Sequence, residues 1–289
     1  VSFYFVEPWY VMDKLPVIRS EVVWEVPNEL RSRIWMVPTF DVQVVPEQKQ
    51  RSGYVEAKFS ARNLPSTPRE VYGFPFRDQA TRMMVVPMSY ADEYVNIPLL
   101  DSWASVCEGM EKDYVLARKQ ATQVGAKASS LTTGKPADDA APILYRFVRD
   151  EIKNTSDDGP WIDDRVTVDK VLAKGEGSSI EKALLLQSLL SAVNVNSQLV
   201  WAADRSRGRV LADLPNPGAF DRILVRVARE GGFATYYDPV DRSLGPGRLA
   251  PDYEGTLALV HDAKKPETIT LPITSFAAHQ KKAAISLTV

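Results

Sequence analysis

Residues 175–186 read GEGSSIEKALLL: two glycines and two serines lead directly into an apolar run that continues to Val193. Residues 183–193 are apolar on nearly every side, which predicts a helix buried at the centre of a domain rather than one with a wet face. Ser178 with Glu181 three positions on fits a capping box, in which the hydroxyl accepts a helix N–H and the carboxylate returns to the cap's own N–H. Gly175 and Gly177 suit a tight turn, and the string lacks the Lys-Ser/Thr ending of a phosphate loop. A serine turn feeding a buried helix also has the shape of a nucleophile site, so Ser179 carries a structural and a chemical reading at once.

Downstream, NSQLVWAA, FDRILVRVA, FATYYDPV and GTLALVH are strand-like runs separated by the turn-rich PNPG and LGPG. One central helix followed by several strands argues for segregated α+β layers and against a doubly wound sheet. Upstream, DDAAPILYRFVRDEIKN predicts a helix with Asp138 or Asp139 as cap, Pro142 near its start, and Leu144, Phe147, Val148 and Ile152 on the apolar stripe. LLDSWASVCEGMEKDYVLARKQATQ has the period of a helix capped by Asp101 or Ser102, with Trp103, Val106, Met110, Tyr114 and Ala117 on one face, and Gly134 and Pro136 break it. Cys107 beside that stripe reads as a small packed thiol.

From Val1 to about Ser89 the pattern is β. PVIRSEVVWEVP, RSRIWMVP, GYVEAKFSAR and TRMMVVPMS are short runs rich in Val, Ile and aromatics, and Val22, Trp24 and Val26 alternate with Glu21, Val23 and Glu25. These suit an antiparallel sandwich or large sheet. Pro65, Pro68 and Pro75 predict an irregular connection along its surface.

Composition narrows the function classes. With 35 Lys and Arg against 37 Asp and Glu, interspersed, the 289-residue chain has no electrostatic footprint for nucleic acid. No apolar run approaches the ~18 residues of a membrane span. Cys107 alone rules out an intramolecular disulfide and any multi-cysteine metal site, and two histidines, His261 and His279, leave little for a histidine-based one, so neither metal nor cofactor is expected. His261, after the last core strand, reads as a strand-end surface residue, and His279 as solvated. The paired carboxylates of WIDDR and PADDAA suit caps and turns. Aromatics in PWIDD, FATYYDP and PDYEG are expected mostly in the core, with a sugar- or peptide-binding platform as the alternative. The start at Val1 is that expected of a processed or truncated piece, and residues 281–289, KKAAISLTV, read as a further strand.

In order along the chain, APILYRFVRDEI, VLAKGEGSSIEKALLLQSLLSAVNV, AFDRILVRV and TYYDPV resemble the transglutaminase-like superfamily of papain-like thiol enzymes. LPVIRSEVVWEVPNEL, ARNLP and LLDSWASV are similar to the β-domain of unknown function that precedes such a domain in many exported bacterial proteins. The resemblance implies an antiparallel β-domain over residues 1–95, connecting helices over 96–137, a transglutaminase-like α+β core over 138–262 and the start of a C-terminal β segment over 263–289. It also implies export to the periplasm or beyond.

In active members the turn before the buried helix carries a cysteine nucleophile, a strand supplies a histidine, and an aspartate of the next strand orients it. On this chain those positions fall on Ser179, Arg222 and Asp238. Arginine stays protonated at physiological pH and cannot serve as a general base, and a serine without a base is a very weak nucleophile. The expectation is a non-enzymatic protein with a vestigial triad, binding a peptide, protein or cell-wall polymer, in which Arg222 and Asp238 form a salt bridge. Two alternatives remain open: an acyl-transfer enzyme or peptidase using Ser179 or Cys107 with a relocated base such as His261, and a structural subunit of a larger assembly.

Overall fold

The computed structural model describes residues 8–38, 42–67, 75–119, 121–157, 159–229, 231 and 233–275. Pro68, His279 and the strand expected over residues 281–289 lie outside the described residues.

The N-terminal part contains β1 (Trp9–Tyr10), β2 (Val17–Pro27), β3 (Leu30–Val37), β4 (Val45–Gln50), β5 (Tyr54–Leu64), the single helical turn α1 (Phe76–Gln79), β6 (Arg82–Ala91) and β7 (Asn96–Pro98). They form two antiparallel sheets, ordered β2-β5-β4 and β1-β6-β3, with β7 also on β6. The alternation in β2 does what its period requires: Val22, Trp24 and Val26 are half-buried and their neighbours exposed. Val11, Met12, Ala57, Phe59, Ala61, Leu64 and Met83, drawn from both sheets and the chain between them, share a small core.

The helical pattern that begins at Asp101 or Ser102 is divided between two helices. The helix α2 (Trp103–Arg118) is capped by Ser102, whose hydroxyl accepts the Ser105 N–H, and ends at Lys119, where the backbone turns extended. A second helix, α3 (Thr122–Thr132), then begins, and the Asp169 carboxylate accepts the Val124 N–H in its first turn. The apolar stripe continues across the break, so periodicity alone does not reveal it.

The central layer follows as α4 (Ala140–Glu151), β8 (Lys153–Asn154), α5 (Val168–Lys174), β9 (Glu176–Gly177) and α6 (Ser179–Ala192), then β10 (Ser197–Ala202), β11 (Arg222–Ala228), β12 (Ala234–Tyr237), β13 (Leu257–Val260) and β14 (Glu267–Thr270). The last five make an antiparallel sheet ordered β12-β11-β10-β13-β14. Its inner face presents Leu199, Trp201, Ile223, Val225 and Leu259 to α6, where Leu184, Leu185, Leu186, Leu189 and Leu190 are fully buried. Each such leucine contributes roughly 1.5–3 kcal/mol by leaving water, so the apolar circumference of α6 fixes it at the centre of the fold. The outer face carries a separate cluster around Val200, Leu224, Tyr253, Val260 and Leu271. Met84, Val86 and Leu100 of the N-terminal part enter the central core directly.

Candidate functional site

The start of α6 is built by two glycines and a serine–glutamate pair. Gly175 caps α5 in the left-handed region at φ +69°, as a helix terminus favours. Gly177 has no room for a side chain, because a Cβ there would lie 2.9 Å from Glu181 Oε2 and 3.0 Å from Val171. Ser178 N–H donates to Glu181 Oε2 at 3.0 Å, the carboxylate half of a capping box whose hydroxyl half faces the Glu181 N–H in looser geometry.

Ser179 is consequently the first helical residue, and it is 0% exposed. Its N–H donates to the Ser156 carbonyl at 2.9 Å, and its Oγ accepts the Ile223 N–H at 3.0 Å. The parallel pairing of β8 with β9 lays the strand after α4 against the turn and brings residues 154–157 over the helix N-terminus. Ser179 thus joins that segment, α6 and β11.

Arg222 opens β11 and reaches Asp238, just past β12, which pairs with β11. Its Nη1 lies 3.1 Å from Asp238 Oδ2 and 3.3 Å from Oδ1, and its Nη2 3.2 Å from Asp157 Oδ2. Asn154 Nδ2 donates to the other Asp157 oxygen at 3.1 Å. The guanidinium also lies over the Tyr253 ring, 5.4 Å from its centroid, and Tyr253 Oη donates to Asp221. Asp238 is 1% exposed and accepts the Val240 N–H at 2.9 Å. Burial pushes its pKa above the ordinary carboxylate value, opposed but not cancelled by the Arg222 charge. Burial works against the Arg222 cation in turn, yet Asp238, Tyr253 and Asp157 together hold its pKa above the ordinary arginine value. The expected salt bridge is present, and a second carboxylate completes it.

Lys182, one helical turn beyond Ser179, is a member of this cluster that periodicity does not flag. It is 1% exposed, and its Nζ donates to the Ile152 carbonyl at 2.6 Å. Burial pulls its pKa down to about 8, reinforced by Arg242 and Arg222 and resisted by Asp238 and Asp150. The signal in the sequence is a cation immediately before the apolar run, on a helix expected to be buried all round. Asp157, in an aperiodic loop, carries no such signal.

His261 is not on the surface. It is 8% exposed, wedged between Tyr114 and Trp201 at ring-centroid distances of 4.9 and 5.3 Å. Its Nε2 lies 3.3 Å from the Cys107 carbonyl and its Nδ1 3.6 Å from Glu111 Oε2. Leu259, in β13, faces the central core, and His261, two residues on and just past the strand, keeps to the same side and meets α2 at Cys107 and Tyr114. Burial brings its pKa down to about 4, so the imidazole is neutral at pH 7. Cys107 is fully buried beside it, and burial pushes its thiol up to about 12, leaving it protonated. The polar partners of His261 are the Cys107 carbonyl and Glu111, whereas Ser179 bonds to Ser156 and Ile223, so the two groups share no hydrogen-bond partner. Of the aromatic candidates, Tyr236, Tyr237 and Tyr253 are buried, while Trp161 and Phe233 are exposed. Among the described residues no group of His, Cys, Asp and Glu is arranged to hold a metal ion, and no helix is long and apolar enough to cross a membrane.

Chemically, the cluster contains a hydroxyl already used as an acceptor, a permanently charged guanidinium and a carboxylate bound to it. Arg222 accepts no proton. The charge-assisted bonds of Arg222 join β11 to the end of β12 and to Asp157, and the neutral Ser179–Ile223 bond joins α6 to β11.

No family model and no curated protein matches the sequence. Among solved structures the chain is similar to a candidate protease from Parabacteroides distasonis ATCC 8503, with a TM-score of 0.63, 16% identity, and 92% of this chain covered. It spans 47% of the length of that chain. A candidate cysteine protease from Cytophaga hutchinsonii matches at TM-score 0.34 and 11% identity over 93% of this chain and 90% of the other. The periplasmic domain of TgpA from Pseudomonas aeruginosa matches at 0.32 and 14% over 81% and 75%. The first of these shows the fold: a mixed α+β chain, with N-terminal antiparallel sheets and a helix-and-sheet core, shared with a protease-like structure.

Proposed function

We propose that this chain is a non-catalytic protein of the transglutaminase-like class, exported by a bacterium, whose altered cleft serves binding of a peptide, protein or cell-wall polymer, or assembly. One observation carries the reading. The position where a base would stand is occupied by Arg222, locked between Asp238 and Asp157, and the hydroxyl at the nucleophile position is buried and bonded to the Ile223 amide. The protease-like fold supports the class, and the N-terminal strings similar to the β-domain of exported proteins support the location. The test is turnover of glutamine-amide and peptide substrates by the purified protein beside Ser179→Ala, together with co-sedimentation on purified peptidoglycan. The expected result is no turnover by either protein; turnover abolished by Ser179→Ala overturns the reading.

A second reading, serine acyl transfer with Lys182 as base, is favoured by the spacing of Ser179 and Lys182 on one helix face and by the depressed lysine pKa. Against it stand the engagement of Nζ with the Ile152 carbonyl and the burial of Ser179. Ser179-dependent turnover that also disappears in Lys182→Met, with an activity limb rising through pH 8, would establish this reading in place of the first.

A further inference from the structure

Between the N-terminal sheets and the connection from β10 to β11 lies a cavity of about 180 Å³. Four arginines line it, Arg77 and Arg82 from the N-terminal part and Arg207 and Arg209 from the connection, with Met84, Leu211 and Leu214 forming an apolar side. We propose that this pocket is a binding site for a small oxyanionic group, a carboxylate or a phosphate, carried by a ligand with a short apolar portion.

Guanidiniums outnumber carboxylates around the cavity, and one of them, Arg82, is buried. Among the described residues, the carboxylates within 4 Å of these guanidiniums are Asp78 and Asp221. Asp78 accepts the Arg209 backbone N–H in a bifurcated bond, at 3.0 and 2.9 Å, and its ion pair with Arg82 is a long one at 3.9 Å. Asp221 lies 3.9 Å from Arg207 and also accepts the Tyr253 hydroxyl. Arg77 and Arg209 have no ion pair among the described residues. Arg82 is 6% exposed, and its Nη1 is buried with no hydrogen-bond partner among the described residues. A buried, unpaired guanidinium nitrogen is costly, and a forked acceptor is what its geometry fits. Burial lowers the Arg82 pKa, and Arg77 and Arg209 lower it further against the pull of Asp78, so an added anion would relieve a repulsion already present.

The site is also shaped. Gly208 sits at φ +95°, and a Cβ there would collide with the Arg77 side chain, so the glycine lets the loop close over that arginine. Asn216, Gly218 and Ala219, which line the cavity, run directly into Asp221 and Arg222. The proposal stands whether or not the cleft at Ser179 is catalytic.

The experiment is calorimetric titration and thermal unfolding of the full chain with three probes: acetate, inorganic phosphate, and an N-acetylated leucine dipeptide with a free or an amidated C-terminus. Ionic strength is matched with sodium chloride. Saturable binding that falls at least tenfold in Arg77→Ala/Arg209→Ala, two exposed side chains whose loss leaves the core intact, is expected. Arg82→Gln should abolish binding; if it fails to fold, the double variant decides. Preference for the free over the amidated dipeptide assigns a carboxylate, and preference for phosphate over both assigns a phosphoryl group. Absence of saturable binding by all probes, or equal binding by wild type and the double variant, overturns the proposal.

Discussion

The Arg222 guanidinium bridges two carboxylates from different parts of the fold, Asp238 at 3.1 Å and Asp157 at 3.2 Å. Asp238 is buried and Asp157 is exposed enough for water to screen it, so the energetic weight rests on the first pair. Arg222→Ala leaves the Asp238 charge uncompensated, and a loss of about 3–5 kcal/mol in urea unfolding at pH 7 is expected. Without the arginine, the raised Asp238 pKa rises further. An acid whose folded pKa exceeds its unfolded value is stabilising below the unfolded value and loses that stability as pH rises through the folded one. The variant should therefore recover part of its deficit towards acid pH. A loss below about 1 kcal/mol with no such recovery would show the pair to be screened.

At Ser179 the structural and chemical roles separate by substitution. Ser179→Ala removes the acceptor of the Ile223 N–H and should cost about 1–3 kcal/mol for the buried amide left behind. Ser179→Cys alone should give no measurable turnover, because Arg222 cannot take the thiol proton, while Ser179→Cys with Arg222→His should recover a trace. Effects within such a unit are strongly non-additive, so the comparison informs even at low rates. Equal activity in the single and double variants would contradict the assigned positions.

Much of this was legible in the sequence because burial imposes period. The apolar circumference of residues 183–193 located the central helix, and the strings around Ile223 and Tyr237 located two of its covering strands. β4, VPEQKQ, was not legible: it is an exposed edge strand held by backbone pairing with β5, with no buried face to pattern it. The break between α2 and α3 left the stripe uninterrupted. The Arg222–Asp238 pair followed from motif order, but Asp157 enters only through the β8–β9 pairing, a long-range contact with no local signature. His261 was misplaced because position at a strand end says nothing of whether a helix covers it; α2 does.

The inward histidine makes stability depend on pH. The folded pKa of His261 is about 4, against about 6.5 when unfolded, so the unfolded chain binds the extra proton between these values. The contribution is complete above pH 6.5 and is lost as pH falls towards 4. Two and a half units correspond to about 3 kcal/mol. His261→Phe keeps a ring between Tyr114 and Trp201 and cannot take a proton. In urea unfolding from pH 7 to 4, wild type should lose about 3 kcal/mol more than the variant, since carboxylate titrations are common to both. Parallel profiles would place the imidazole in water.

Lys182 gives a dependence of the same sign at alkaline pH. Its folded pKa of about 8 lies below the ordinary 10.5, so stability from this group is present above pH 10.5 and lost as pH falls through 8. At pH 7 the protonated amine is held in the core, 1% exposed, at a cost of about 3 kcal/mol relative to a neutral group. Lys182→Met removes that cost and leaves the Ile152 carbonyl without its donor, which returns about 1–3 kcal/mol. The two nearly offset, so the variant should match wild type at pH 7 or exceed it slightly. The decisive quantity is the slope: from pH 8 to 10 wild type should gain stability relative to Lys182→Met, since the raised tyrosines titrate alike in both. A flat difference across that range, with the variant much less stable at pH 7, would mean that Lys182 remains charged and is held by Asp238 and Asp150 as a structural cation.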